Sequence, residues 1–307
     1  MKQRFLAIGI FWLFLITLLA VRAPAFFELS NLRDIAVSNA PALIVAIGMT
    51  LVIIAGEIDV SVGSQFAVAS VIAGLLAKSG LPLIATAILT ATAGILFGWL
   101  NGAMVTSLRV PSIVATLAAM AFWRESLRWG TQGAWVQGLP SNFQWMGLSQ
   151  SGGEFAILAA TAILFAAFAW SMRHVHAGRA IYAVGSRRES AHLAGIPVRA
   201  VSFGVFILLG CLTSIAALLD SVRFSQVQSS AGGGLELKAI SAVVIGGASI
   251  TGGKGSLWGT LLGASVLAVI APALTFLGIN AFWEKAIQGA IILSAIILER
   301  MAARHAR

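Results

Sequence analysis

Uncharged, predominantly apolar runs follow one another along the chain at 5–21, 40–55, 65–77, 81–100, 110–123, 155–172, 201–219, 239–250, 257–278 and 286–298. A bilayer core of about 30 Å takes roughly 20 helical residues at 1.5 Å each. The longer runs therefore read as membrane-crossing helices. Those at 65–77, 110–123, 239–250 and 286–298 are short, and read either as spans extended by polar turns or as re-entrant and half-helices. The pattern predicts an all-α integral membrane protein of about ten transmembrane helices, some short or broken, in a single domain over 1–307. The first run opens like a signal peptide, with Lys2 and Arg4 ahead of it, but outlasts the usual 7–15 apolar residues and reads as an uncleaved first span.

Composition agrees. Of 307 residues, 59% are hydrophobic and 10% charged, against about 25% charged in an ordinary soluble domain. The net charge of +9 suits nucleic acid in a soluble protein; here it suits the positive-inside rule and anionic lipid better. Threading ten passes from a cytoplasmic N-terminus puts twelve of the 20 Lys and Arg inside and eight outside, and both termini in the cytoplasm. The strongest inside segments are the loop 173–200 and the C-terminal tail. The largest outside loop is 123–154, whose Trp123, Trp129, Trp135 and Trp145 read as interfacial anchors or as part of a docking surface for an extracytoplasmic partner.

The stretch ASITGGKGSLWG, 248–259, imitates a nucleotide loop. It fails the test, because Gly253-Lys254 is followed by Gly255 where a phosphate loop needs a hydroxyl for Mg²⁺. Gly246, Gly247, Gly252 and Gly253 instead break a helix at or near membrane depth, where irregular backbone is tolerated only against protein or a water-filled cavity. A second interruption, AGEIDVSVGS at 55–64, contains Asp59, Ser61 and Gly63. Two such breaks in the two halves of a transporter point to a translocation path. Asp59 also has a structural reading, as a cap on the next helix, and a full-length preceding span leaves Glu57 and Asp59 at the interface. The series Gly94, Gly98, Gly102 and Gly255, Gly259, Gly263 read as close-packing helix faces.

Cys211 is the single cysteine, so no intramolecular disulfide forms, and the four histidines have no metal-ligand spacing. No nucleophile, base or metal ligands cluster, so no catalytic residue is assigned and no cofactor is expected on this chain. No Asp, Glu, Lys or Arg interrupts the ten apolar runs, which argues that the driving force comes from outside the chain. The loop 173–200 is the candidate place for it to act. Ser186 is a candidate N-cap, and Gly195 with Pro197 a stop. Between them Ala191, Leu193 and Ala194 offer an apolar contact, rimmed by Arg187, Arg188, Glu189 and His192. Such a short helix suits a partner's groove; the alternative is a loop whose arginines only hold orientation.

Four stretches resemble the membrane permease subunits of bacterial ABC importers for monosaccharides, the branch that includes ribose, xylose, arabinose and rhamnose systems. They are GEIDVSVGS (56–64), NGAMVTSLRVPSIVATLAAMAFWR (101–124), GRAIYAVGSRRESAHLAGIPV (178–198) and GGLELKAISAVVIGGASITGGKGSLWGTLLGA (233–264). Order and spacing agree over about 40–298. Glu57 stands where the family usually has glycine, and Ser186-Arg187 where it usually has Gly-Asn. The resemblance implies a pore half in the bacterial inner membrane. It pairs with itself or a paralogue, sits on cytoplasmic ATP-binding subunits that carry the ATP and Mg²⁺, and receives sugar from a periplasmic binding protein. It also implies that 187–195 is the coupling helix. QGAWVQGLP (132–140) is similar to rhamnose and autoinducer-uptake permeases. The competing expectation is an ion-coupled secondary sugar carrier.

Overall fold

The computed structural model describes residues 12–13, 15–280, 283–290 and 293. Within them the chain is helical, with one isolated bridge between Val136 and Val227 and no β-strand among the described residues. Ten helices are labelled here: α1 Leu29–Ile54, α2 Val62–Lys78, α3 Leu83–Thr106, α4 Ser112–Thr131, α5 Gln150–His174, α6 His176–Ser186, α7 Arg188–Leu193, α8 Val198–Ser221, α9 Leu235–Ile245 and α10 Leu257–Phe276. Further helical residues lie at 15–22 and 283–290. The apolar runs at 5–21 and 286–298 fall largely outside the described residues.

Among the described residues five helices, α1, α3, α5, α8 and α10, are long and apolar enough to cross a bilayer. They divide the work of burial unevenly. In α1 every residue from Ile44 to Ile54 is buried, so this helix is apolar all round and forms the core. By contrast α3 is buried along one stripe only, at Thr86, Thr90, Gly94, Phe97, Gly98, Asn101 and Gly102. The stripe is small and polar while the exposed remainder is apolar, the arrangement expected of a helix whose outer surface meets lipid. Its glycines admit α8. A methyl on Gly94 would overlap the Gly210 carbonyl, one on Gly98 the Phe206 carbonyl, and one on Gly102 the Phe203 ring. On α10, Gly259 and Gly263 likewise take the backbone of α9 at Gly246 and Ala242. Gly255, grouped with them by spacing, lies before the helix in an extended turn.

The short apolar runs prove to be different objects. That at 110–123 belongs to the 20-residue helix α4, so the connection expected over 123–154 shrinks to 132–149. The loop 173–200 is largely helical, as α6 and α7. α2 and α9 are the broken elements, with 17 and 11 residues. Residues 57–60, between α1 and α2, belong to no helix and lie alongside α4, with the Ile58 N–H on Ser112 Oγ (3.3 Å) and the Val60 N–H on Thr116 Oγ1 (3.2 Å). The segment 222–234 enters from the opposite end. Val227 pairs with Val136, the Ala231 carbonyl accepts from Arg124 Nη1 (3.1 Å), and Gly232 reaches Gly63 and Phe66. α9 thus starts within the bundle. Its Glu236 and Lys238 precede the uncharged run 239–250 yet lie within the bundle: Lys238 Nζ donates to Asn39 Oδ1 (2.7 Å), fifteen residues up α1 from Ile54, or about 22 Å.

The backbone contact between α3 and α8 yields a stability prediction. Gly210→Val forces overpacking that costs about 1–3 kcal/mol, and the thermal midpoint of the detergent-solubilised protein falls. Gly204→Ala, on the same helix with nothing within 4 Å of the added carbon, does not lower it, because alanine is the better helix former.

Candidate coupling and translocation site

The residues singled out from sequence divide between two places. One is the end of the bundle that carries α6 and α7. There the C-terminus of α1, the end of α6 and the α9–α10 turn meet backbone to backbone. A methyl on Gly185 would overlap the Ile54 carbonyl; one on Gly252 would meet Gly56 Cα at 2.8 Å, and one on Gly253 would meet Ser186 Cα at 2.7 Å. The Gly253 N–H donates to the Ile54 carbonyl (2.8 Å). Gly56, Gly252 and Gly253 have φ of 81°, 87° and 74°, a region that disfavours any side chain. Tyr182 Oη donates to the Gly255 carbonyl (2.9 Å). Burial pushes the Tyr182 phenol up, so it stays a donor at neutral pH. The Gly246–Gly253 break therefore lies level with the end of α1 rather than at mid-depth, and Gly246 serves the α9–α10 contact.

α7 is fastened to this junction. Its Arg188 forms an ion pair with Glu57, whose side chain is 6% exposed. Glu57 is thus buried within the protein and paired, just beyond the full-length span α1. Ser186 is the last residue of α6, and the N-cap of α7 is Arg187, with no side-chain cap bond; the chain turns through Arg187 in extended conformation and never presents Ser186 as a cap. The stop is as the sequence indicates. Gly195 has φ 79°, the Gly195 N–H bonds the His192 carbonyl, and the Ile196 N–H the Ala191 carbonyl, closing the helix in a Schellman turn. Ala191 is 4% exposed and Leu193 83%. Ala191 thus faces inward and drops out of the expected contact surface, because a six-residue helix lying on the bundle must turn one side down. Arg187, Glu189, His192, Leu193 and Gly195 remain outward.

The second place lies deeper. Asp59 Oδ1 accepts from the Ser61 N–H (2.8 Å) and Ser61 Oγ (2.6 Å), while Oδ2 accepts from Asn101 Nδ2 (2.8 Å). Asn101 and Gln65 also donate to Ser61 Oγ (2.8 and 2.7 Å). Asp59, Ser61, Gln65 and Asn101 are each at most 1% exposed. Asp59 serves the backbone just before α2, yet it is fully buried rather than interfacial. Gly63, in the first turn of α2, has room for no methyl: Gly232 O and Glu236 Oε2 occupy the space. The first turns of α2 and α9 therefore meet inside the bundle. Both positive helix ends point there, which favours a carboxylate, and Glu236 Oε2 is buried without a hydrogen-bond partner.

Asn101, Glu236, Lys238, Gly185 and Tyr182 were not found from sequence. All five lie within the quoted stretches, but pattern alone gives no partner for any of them. Among the described residues no group of three or more His, Cys, Asp or Glu is placed to hold a metal.

Residues 31–296 match the family described as branched-chain amino acid transport system, permease component. The chain belongs to this permease family. It is 35% identical over 257 residues to the Autoinducer 2 import system permease protein LsrC of Shigella flexneri, covering 84% of this chain and 75% of that one. It is 33% identical over 291 residues to the Ribose import permease protein RbsC of Escherichia coli K12, covering 94% and 91%. No solved structure matches. Both relatives are transport permeases by name.

The buried cluster makes a prediction. Asn101→Ala removes the Asn101 donor from Asp59 Oδ2 and costs about 1–3 kcal/mol, read as a lowered thermal midpoint.

Proposed function

We propose that this chain is the transmembrane pore subunit of an ATP-driven importer that moves a monosaccharide, or a related furanosyl signal, into the bacterial cytoplasm across the inner membrane. The family match and the ribose and autoinducer 2 relatives support this reading. In it residues 1–307 form one permease domain of ten spans, with both termini and α6–α7 in the cytoplasm. The chain is not an enzyme and holds no cofactor; ATP and Mg²⁺ belong to a partner ATPase. A second copy or paralogue completes the pore, and a periplasmic binding protein delivers the sugar. No nucleic acid takes part.

The observation that carries the mechanism is the attachment of α7. Arg188 grips Glu57, Gly185 and Ser186 lie against Gly252 and Gly253, and Tyr182 holds Gly255. A push on the exposed face of α7 reaches both chain breaks at once. From Glu57 it passes along the non-helical residues 57–60 to the Asp59–Asn101 cluster and the meeting point of α2 and α9. Backbone without helical bonds is the compliant part of such a path, and glycine at the pivot removes steric resistance.

In the complex assembled with its ATPase and binding protein, Leu193→Asp places a charge in the apolar contact and lowers ATP-driven sugar uptake more than tenfold while the protein still inserts. Ala191→Asp instead destabilises the permease itself. Unchanged uptake in Leu193→Asp removes α7 from the coupling role. Accumulation of sugar by the purified chain alone on an ion gradient establishes the secondary carrier instead.

The ion pair gives an independent test. Glu57→Gln leaves Arg188 unpaired and weakens uptake several-fold without loss of ATP hydrolysis. The reversed pair, Glu57→Arg with Arg188→Glu, recovers more uptake than either single change, as a double-mutant cycle measures.

A further inference from the structure

At the end of the bundle opposite α7, a cavity of about 360 Å³ opens between the first turns of α1, the start of α5, the loop after α8 and Pro272 of α10. Pockets of this size with an aromatic wall and a few convergent polar groups are the usual form of small-molecule sites. This one is lined by Asn31, Asp34, Ser38, Trp145, Glu154 and Arg223, with Phe224 beside them. Two ion pairs hold its walls. Glu154 pairs with Arg33 and accepts from Gln150 Nε2 (2.9 Å), while Arg223 Nη1 bonds Asp220 Oδ1 at 2.9 Å. Arg223 Nε is buried without a partner, and its guanidinium stacks over Phe224 at 5.2 Å. Asp34 makes no ion pair among the described residues, leaving its carboxylate free to accept.

The aromatic wall is held there against its own backbone preference. Trp145 and Met146 have φ of 52° and 62°, a left-handed conformation unusual for bulky residues. Each such residue costs about 1–3 kcal/mol, and such outliers cluster at ligand sites. The Trp145 N–H is tied to the Val222 carbonyl (2.6 Å), next to Arg223. Gly153, at the start of α5, makes the space: a methyl there would lie 2.9 Å from Trp145 Cβ.

Asp220 and Arg223 also form a partition. Asp220 lines a second cavity of about 410 Å³ that reaches Gly232, Lys238 and Gln288, and Ser38 lines both. A polar track thus leads from the outer cavity past the Asp220–Arg223 pair toward the first turn of α9.

We propose that the Trp145–Asp34–Arg223 cavity is a binding subsite for a neutral polyhydroxylated ligand the size of a monosaccharide, through which the ligand passes before the deeper cavity. A flat indole takes the C–H face of a sugar ring. Planar carboxylate, amide and guanidinium groups take vicinal hydroxyls as paired hydrogen bonds. Arg33 offsets Glu154 and Arg223 offsets Asp220, which leaves the Asp34 carboxylate as a free acceptor for a ligand hydroxyl. The proposal rests on the importer reading.

The test uses a Cys211→Ala, Ser38→Cys variant in membrane vesicles, labelled by an impermeant maleimide from the side of this cavity. Millimolar ribose, xylose and rhamnose are the probes, and glycine betaine is the osmotic control. At least one sugar slows labelling several-fold while glycine betaine does not, and adding Trp145→Ala abolishes the protection. Equal labelling under every sugar, in a complex that still imports sugar with its ATPase and binding protein, overturns the subsite and leaves the importer reading standing. Protection without ATP-driven uptake upholds the subsite and overturns the importer reading. Protection that survives Trp145→Ala overturns the stacking role.

Discussion

Inside a bilayer a stretch of unwound backbone has no water to satisfy it, and each unmet group costs several kcal/mol. This chain unwinds at 57–60 and again at 222–234, and much of the remaining architecture answers that constraint. Ser112 and Thr116 of α4 accept the Ile58 and Val60 N–H groups, and Asp59 accepts that of Ser61. Asn101 of α3 then satisfies the carboxylate. On the other segment Arg124 donates to Ala231, and Val136 pairs with Val227. Asn101 of α3 and Ser112, Thr116 and Arg124 of α4 thus serve the unwound chain beside them.

Buried charge follows the same logic. Asp59 is tolerated because each oxygen has a donor, and Glu57 because Arg188 reaches it from the surface. Lys238 is held by Asn39. Glu236 differs, since one of its oxygens has no partner and only the converging ends of α2 and α9 favour its charge. The meeting of the two half-helices thus holds a carboxylate oxygen whose support comes from helix ends rather than from a hydrogen bond.

The long apolar runs of α1, α5, α8 and α10 were legible in the sequence because a span announces itself by composition alone. The glycine faces of α3 and α10 were legible by their spacing, although Gly255 fell outside its series once the chain turned before α10. The α7 stop was legible in Gly195, because only a left-handed residue closes that turn. The inward face of Ala191 was not, since which side of a short helix meets the bundle depends on α6 and α8 rather than on its own residues. The depth of Asp59, Glu236 and Lys238 was hidden for a related reason. Hydropathy assigns a charged residue to a boundary, and a half-helix that starts mid-bundle puts its boundary inside.

The joint between Gly56, Gly185 and Gly252 contains almost no side chain. A hinge of bare backbone offers substitution nothing to adjust: a change there jams it, and otherwise it stays as it is. The exposed side of α7, at Arg187, Glu189, His192 and Leu193, is under no such restriction: a side chain there can change without touching the backbone contact beneath it.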